Sequence, residues 1–142
     1  MTLLELIQVI ESVAGQQPSI NEIVENDVFR LNEKADAKYG VFAFVQGQHT
    51  TSIDTNVISY SFTFFYVDRL LNDRSNQIEI QSVGVQTLDN IIRTLDEAGI
   101  YVSQTWTFQV FNQRFVDECA GVFCNVTFDV GIDFICPEIY NT

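Results

Sequence analysis

Val122-Phe123-Cys124-Asn125-Val126-Thr127-Phe128-Asp129-Val130-Gly131-Ile132-Asp133-Phe134 decides the fold class. Val122, Cys124, Val126, Phe128, Val130, Ile132 and Phe134 are apolar at every even position, and Asn125, Thr127, Asp129 and Asp133 sit between them. Strict period-two alternation is the signature of a strand with one face on a core and the other toward solvent. Gly131 marks the expected bend, because glycine lets a long strand kink or bulge.

Upstream, the same period recurs in Ile58, Tyr60, Phe62, Phe64 and Tyr66 against Ser59, Ser61 and Thr63, and in Trp106, Phe108 and Val110 against Thr105, Thr107 and Gln109. Val41 to Val45 is apolar on both faces, as in a central strand covered on two sides, and forms a long hairpin with the 58–66 strand. The polar stretch from Gln46 to Asn56, with Gly47, reads as the loop between them.

Two segments have helical spacing instead. Thr2-Leu3-Leu4-Glu5 is a capping box, followed by Leu3, Leu6, Ile7, Ile10, Val13 and Ala14 on one face, with Gly15 and Pro18 as the stop. Between Asn72 and Ala98, Ile78, Val85, Leu88, Ile91, Ile92 and Leu95 form a stripe closed by Gly99, and Val83-Gly84-Val85 is a point of expected bending. Ser19 to Val24 reads equally as a short helix or an extended piece, and Asp27 can cap a brief helical turn through Val28, Phe29 and Leu31. The expected architecture is α+β: one domain over 1–142, with an antiparallel sheet of about four main strands packed on an N-terminal and a long central helix.

Composition narrows function. The 142 residues, 46% of them hydrophobic, suffice for one core without staples. The net charge is −12, and Arg30, Lys34, Lys38, Arg69, Arg74, Arg93 and Arg114 are scattered, whereas nucleic-acid binding needs clustered cations. Such charge also repels an anionic membrane. No apolar run approaches the roughly 20 residues of a membrane span, and the N-terminus lacks the basic flank of a signal peptide.

Cys119, Cys124 and Cys136 leave an odd thiol, and the last two are roughly 40 Å apart on one strand at about 3.3 Å per residue, so all three are expected to be reduced. The Asn125-Val126-Thr127 sequon lies within a strand and is read as chance.

Chemistry is sparse. His49 is the only histidine and reads as a solvated loop residue rather than a catalytic base. Asp96-Glu97 and Asp117-Glu118 are sequence neighbours that point apart, the cysteines lack metal-ligand spacing, and the glycines form no phosphate loop. The reading is a non-enzyme without cofactor or metal.

Met1-Thr2-Leu3-Leu4-Glu5-Leu6-Ile7, Lys38-Tyr39-Gly40-Val41-Phe42, Phe65-Tyr66-Val67-Asp68-Arg69-Leu70, Ile80-Gln81-Ser82-Val83-Gly84, Asn90-Ile91-Ile92-Arg93-Thr94 and Cys119-Ala120-Gly121-Val122-Phe123-Cys124 resemble a small virion protein of crAss-like bacteriophages of Bacteroides. The element order is also similar to tail-terminator and tail-completion proteins. The resemblance implies a structural virion protein in the neck or tail, made in the host bacterial cytoplasm. Copies would form a six- or twelve-fold ring contacting portal, neighbouring neck-ring and tail-tube proteins, with DNA passing through.

Within such a ring, Phe65, Phe111, Phe115 and Phe123, apolar residues on the polar side of the strands, are candidate contacts between copies. Gln46, Gln48, His49 and Asp54 are the candidate lumen or partner loop; this polar loop, or the acidic surface generally, would line a channel that passes DNA without holding it. Two other classes compete: a ligand-binding or enzyme domain with a pocket between sheet and helix lined by Tyr60, Trp106 and Asp or His side chains, and an acidic mimic of nucleic acid with carboxylates gathered on one face.

Overall fold

The computed structural model describes residues 1–25, 39–71, 73–102, 105–114 and 118–131. The expected helical turn at Asp27 to Leu31, and the expectations placed on Phe115, Asp117, Ile132, Phe134 and Cys136, lie outside them. The elements are α1 (Leu3–Gly15), β1 (Glu22–Glu25), β2 (Val41–Gln46), β3 (Thr50–Ser52), β4 (Val57–Arg69), α2 (Gln77–Glu97), β5 (Tyr101–Val102), β6 (Phe108–Arg114) and β7 (Glu118–Gly131).

The backbone of the fold is the antiparallel pair β4–β7, in register from Val57 opposite Gly131 to Arg69 opposite Cys119. Even-numbered residues of both strands face the helices. Tyr60, Phe62, Phe64, Tyr66, Val122, Cys124, Val126 and Phe128 are buried there with Phe42 and Phe44 of β2. Leu6, Ile10, Val13 and Ala14 of α1 and Leu88, Ile91, Ile92 and Leu95 of α2 close this core. Phe64 sits at its centre, fully buried, with the Phe42 ring edge-on at 5.2 Å and the Phe128 ring at 5.9 Å.

The capping box forms as the sequence dictates: the Thr2 hydroxyl accepts from the Glu5 amide at 3.2 Å, and Glu5 Oε1 accepts from the Thr2 amide at 3.3 Å. Gly99, at φ +91°, takes the left-handed position that ends α2, a conformation open to glycine at little cost.

Several expectations are corrected. Among the described residues the sheet has seven strands in the order β1-β2-β4-β7-β5, with β3 on β4 and β6 on β7, and it is mixed, because β1 runs parallel to β2. Ser19 to Val24 therefore leads into a strand, held by the Asn21 amide donating to the Gly40 carbonyl and the Asn21 side chain donating to the Tyr39 carbonyl, both at 2.8 Å. The 46–56 segment is not all loop, since Thr50–Ser52 pairs with β4.

The central helix starts at Gln77, not near Asn72, because Asn76 reaches back. Its side-chain oxygen accepts from the Leu71 amide at 2.9 Å, and its side-chain nitrogen donates to the Arg69 carbonyl at 3.1 Å. Ile78, 79% exposed, and Val85 leave the stripe, and the buried line runs Ile80, Gly84, Thr87, Leu88, Ile91, Ile92, Leu95.

Gly84 does not break the helix. A Cβ there would lie 2.9 Å from Val122 Cγ2 and 3.0 Å from Tyr66 Cδ1, so the glycine lets α2 settle closely onto the sheet. Trp106 precedes β6 instead of lying within it, and Val110 is 59% exposed. Trp106 braces that approach, donating from Nε1 to Asp89 Oδ1 at 3.2 Å, while Arg93 pairs with Asp89 at 2.7 Å and lies over the indole at 5.7 Å.

The outer face of the sheet is not uniformly polar either. Val24, Val41, Ala43, Val67 and Cys119 form a second buried apolar cluster there.

Candidate functional site: an aromatic patch on the outer sheet face

Odd-numbered residues of β4 and β7 face away from the helices, and their cross-strand partners divide this face in two. Toward the start of β4 runs a polar ladder. Ser59 donates to Asp129 at 2.6 Å, the Ser61 and Thr127 hydroxyls meet at 3.4 Å, and Thr63 donates to Asn125 at 2.7 Å. These pairs satisfy one another across the strands. The sequon asparagine, Asn125, is one rung of this ladder.

Toward the other end the pairs become apolar. Phe65 stands opposite Phe123, with ring centroids 5.7 Å apart. Phe111 enters from β6 opposite Gly121, completing a triangle at 6.2 Å from Phe65 and 6.1 Å from Phe123. Gly121 makes the space: a Cβ on it would lie 2.8 Å from the tip of the Phe111 ring. All three rings are half-buried, resting on the second apolar cluster.

Three of the four aromatics singled out from sequence therefore converge in one patch. What sequence reasoning missed is the glycine slot that admits Phe111; its only signal is a lone glycine in an alternating strand.

The loop residues separate. Gln48 and Asp54 are exposed. His49 is not the solvated residue expected: the Ser61 amide donates to its Nδ1 at 3.2 Å. By the hydrogen-bond network the other ring nitrogen, Nε2, then carries the proton and donates to Gln46 Oε1 at 3.0 Å. Its ring also stands edge-on to Tyr60 at 5.2 Å. The imidazole thus takes over a ladder position between β2 and β4, a structural task.

The aromatic residues named for the rival pocket have partners of their own. Tyr60 packs on His49, and Trp106 is held by Asp89 and Arg93. A depression of about 570 Å³ is lined instead by Met1, Val57, Gly99, Ile100, Asp129, Val130 and Gly131. Among the described residues of that lining Asp129 is the one carboxylate, and it accepts from the Ser59 hydroxyl.

Cys119 and Cys124 are both buried, on opposite faces of β7. Burial, with the Asp89 charge behind it, pushes the Cys124 thiol up to about 12, which leaves it without reactive thiolate. Burial likewise pushes the Tyr66 hydroxyl up to about 12, and it donates to the Ser19 carbonyl at 3.4 Å. Among the described residues no group of three or more His, Cys, Asp or Glu side chains is placed to hold a metal ion, and no helix is long and apolar enough to cross a membrane. No protein-family model and no curated protein matches the chain.

Proposed function

We propose that the protein is a structural subunit of a bacteriophage neck or tail, copied around a closed ring of the tail-terminator or head-tail connector kind. The observation that carries this reading is the Phe65–Phe111–Phe123 patch, three half-buried rings on a sheet face and reaching its β6 side. Partly exposed aromatic clusters beside polar surface are the composition of protein contacts. The likeness of the quoted segments to a virion protein of crAss-like phages supplies the context.

In a heterologous ring the patch of one copy meets a different surface of the next, and the contact closes when the rotation does. Portal, neighbouring neck-ring and tail-tube proteins would lie above and below. DNA would pass a lumen kept unattractive to phosphate by the net charge of −12, with the exposed Gln48 and Asp54 as the loop residues available to face it.

Phe111→Ser tests the contact. It removes the ring nearest the sheet edge, and loss of a buried aromatic anchor weakens an interface by about 2 kcal/mol or more. Sedimentation velocity should show the ring shifting to smaller species, while Val110→Ser, one residue along and pointing to the other face, should assemble as the native chain does. Equal assembly of native chain and Phe111→Ser variant would remove the patch from the interface.

A further inference from the structure

β7 carries β4 along one edge, and β5 and β6 along the other. Among the described residues β6 pairs with β7 alone, so its second edge faces no strand. An open edge presents unpaired amides and carbonyls to any other chain, and sheets guard such edges with short strands, charges, prolines or bulges. The other strands with an open edge are guarded in this way. β1 is four residues with a glutamate at each end, β3 is three residues and β5 is two.

β6 has none of these guards. It is seven residues, Phe108-Gln109-Val110-Phe111-Asn112-Gln113-Arg114, with no proline and with its one charged residue at the very end. Its register runs from Phe108 opposite Cys124 to Arg114 opposite Glu118 without a bulge. Ala98 to Gln113, which contains most of it, is the longest stretch of the chain without Asp, Glu, Lys or Arg. Copies of a protein with a net charge of −12 repel one another, and a contact between them forms most readily where no charges are brought together. Val110, opposite Val122 and so on the helix side of the sheet, adds an apolar side chain that is 59% exposed.

The same comparison selects the occupant. A strand added to β6 has to match its length and present an uncharged edge, and among the described strands with an open edge only β6 itself does both. Antiparallel pairing of β6 with β6 about a two-fold axis is self-complementary, as an isologous contact requires.

We propose that β6 is an interaction edge at which a second copy of the chain adds its own β6, antiparallel, so that the sheets of the two copies run on as one. The axis falls near Val110 and brings the two Val110 side chains together. The contact uses backbone groups in the plane of the sheet and leaves the aromatic patch on the outer face available. It does not depend on a ring, so a dimer without a ring would keep this inference and lose the other.

Hydrogen exchange reads the pairing directly. In a lone sheet the successive amides of β6 point alternately to β7 and to the open edge, so exchange from Phe108 to Asn112 alternates between slow and fast. As the native chain is concentrated from monomer to dimer, followed by sedimentation velocity, the fast amides should slow by about tenfold or more, until Phe108 to Asn112 are slow throughout. Of the adjacent variants Gln109→Pro and Val110→Pro, one removes an amide that bonds to β7 and the other an amide at the open edge. The one that keeps the native melting temperature in dilute solution should stay monomeric where the native chain pairs. Val110→Ser, which keeps the backbone, should still pair. Alternation that persists at every concentration, protection of all five amides that does not depend on concentration, or a dimer that survives both prolines would overturn the proposal.

Discussion

Gly121→Ala is expected to destabilise the protein by upward of about 3 kcal/mol, at the top of the range for overpacking, and to lower the melting temperature by roughly 10 °C. The added methyl would run into the Tyr66 carbonyl oxygen on the neighbouring strand and lie 2.8 Å from the Phe111 ring. The ring can swing aside. The carbonyl cannot, because it belongs to the β4–β7 pair on which the other layers rest. Relief therefore requires the two central strands to part locally, and Phe111 to leave its slot. Gly131→Ala is the control: no atom of the described residues lies within 4 Å of a Cβ at that position, so its midpoint should hardly move. Thermal and urea unfolding of both variants measure the difference.

Phe64→Ala should cost about 3–5 kcal/mol, the usual range for a large ring removed from a closed core. Phe64 is fully buried, and the rings of Phe42, Phe62 and Phe128 surround it at 5.2 to 6.2 Å. None of these can collapse into the space without breaking its own packing. The adjacent Phe65 points to the outer face and is half-buried, so Phe65→Ala should cost only about 1–2 kcal/mol by lost apolar contact. Unfolding midpoints of the two variants, neighbours in sequence, test directly which face of β4 is the core. Equal losses would mean that the face assignment is wrong.

The elements that could be read from sequence are those whose signal is local or strictly periodic. Thr2 and Glu5 specify the start of α1 by themselves, and Gly99 specifies the end of α2. The even-numbered stripe from Val122 to Phe128 places β7 with its core face correct, because a one-residue slip would expose every one of those side chains.

What escaped depends on partners distant in sequence. The strand β1 is Glu-Ile-Val-Glu, too short and too charged to declare itself, and it exists because β2 offers a parallel edge. The strand β3 is Thr-Thr-Ser, wholly exposed, and is made by pairing alone. On α2, Ile78 and Val85 looked like core by composition, whereas Gly84 and Thr87 are core by position. Small side chains there let the helix approach Tyr66 and Val122, and hydropathy does not register closeness of approach.

The candidate site divides in the same way. That Phe65, Phe111 and Phe123 face outward was legible from parity. That they meet is set by the register of β6 on β7, which puts Phe111 over Gly121, and the sequence carries no record of that register. His49 was read as free because its partner, the Ser61 amide, is a backbone group twelve residues away.

Native mass spectrometry of the purified chain, alone and mixed with portal and tail-tube proteins, addresses the proposed ring most directly. A discrete closed oligomer of one stoichiometry, formed by the chain itself or on mixing, is the result the account predicts. A monomer under every one of those conditions, at concentrations well above those in an infected cell, would contradict it.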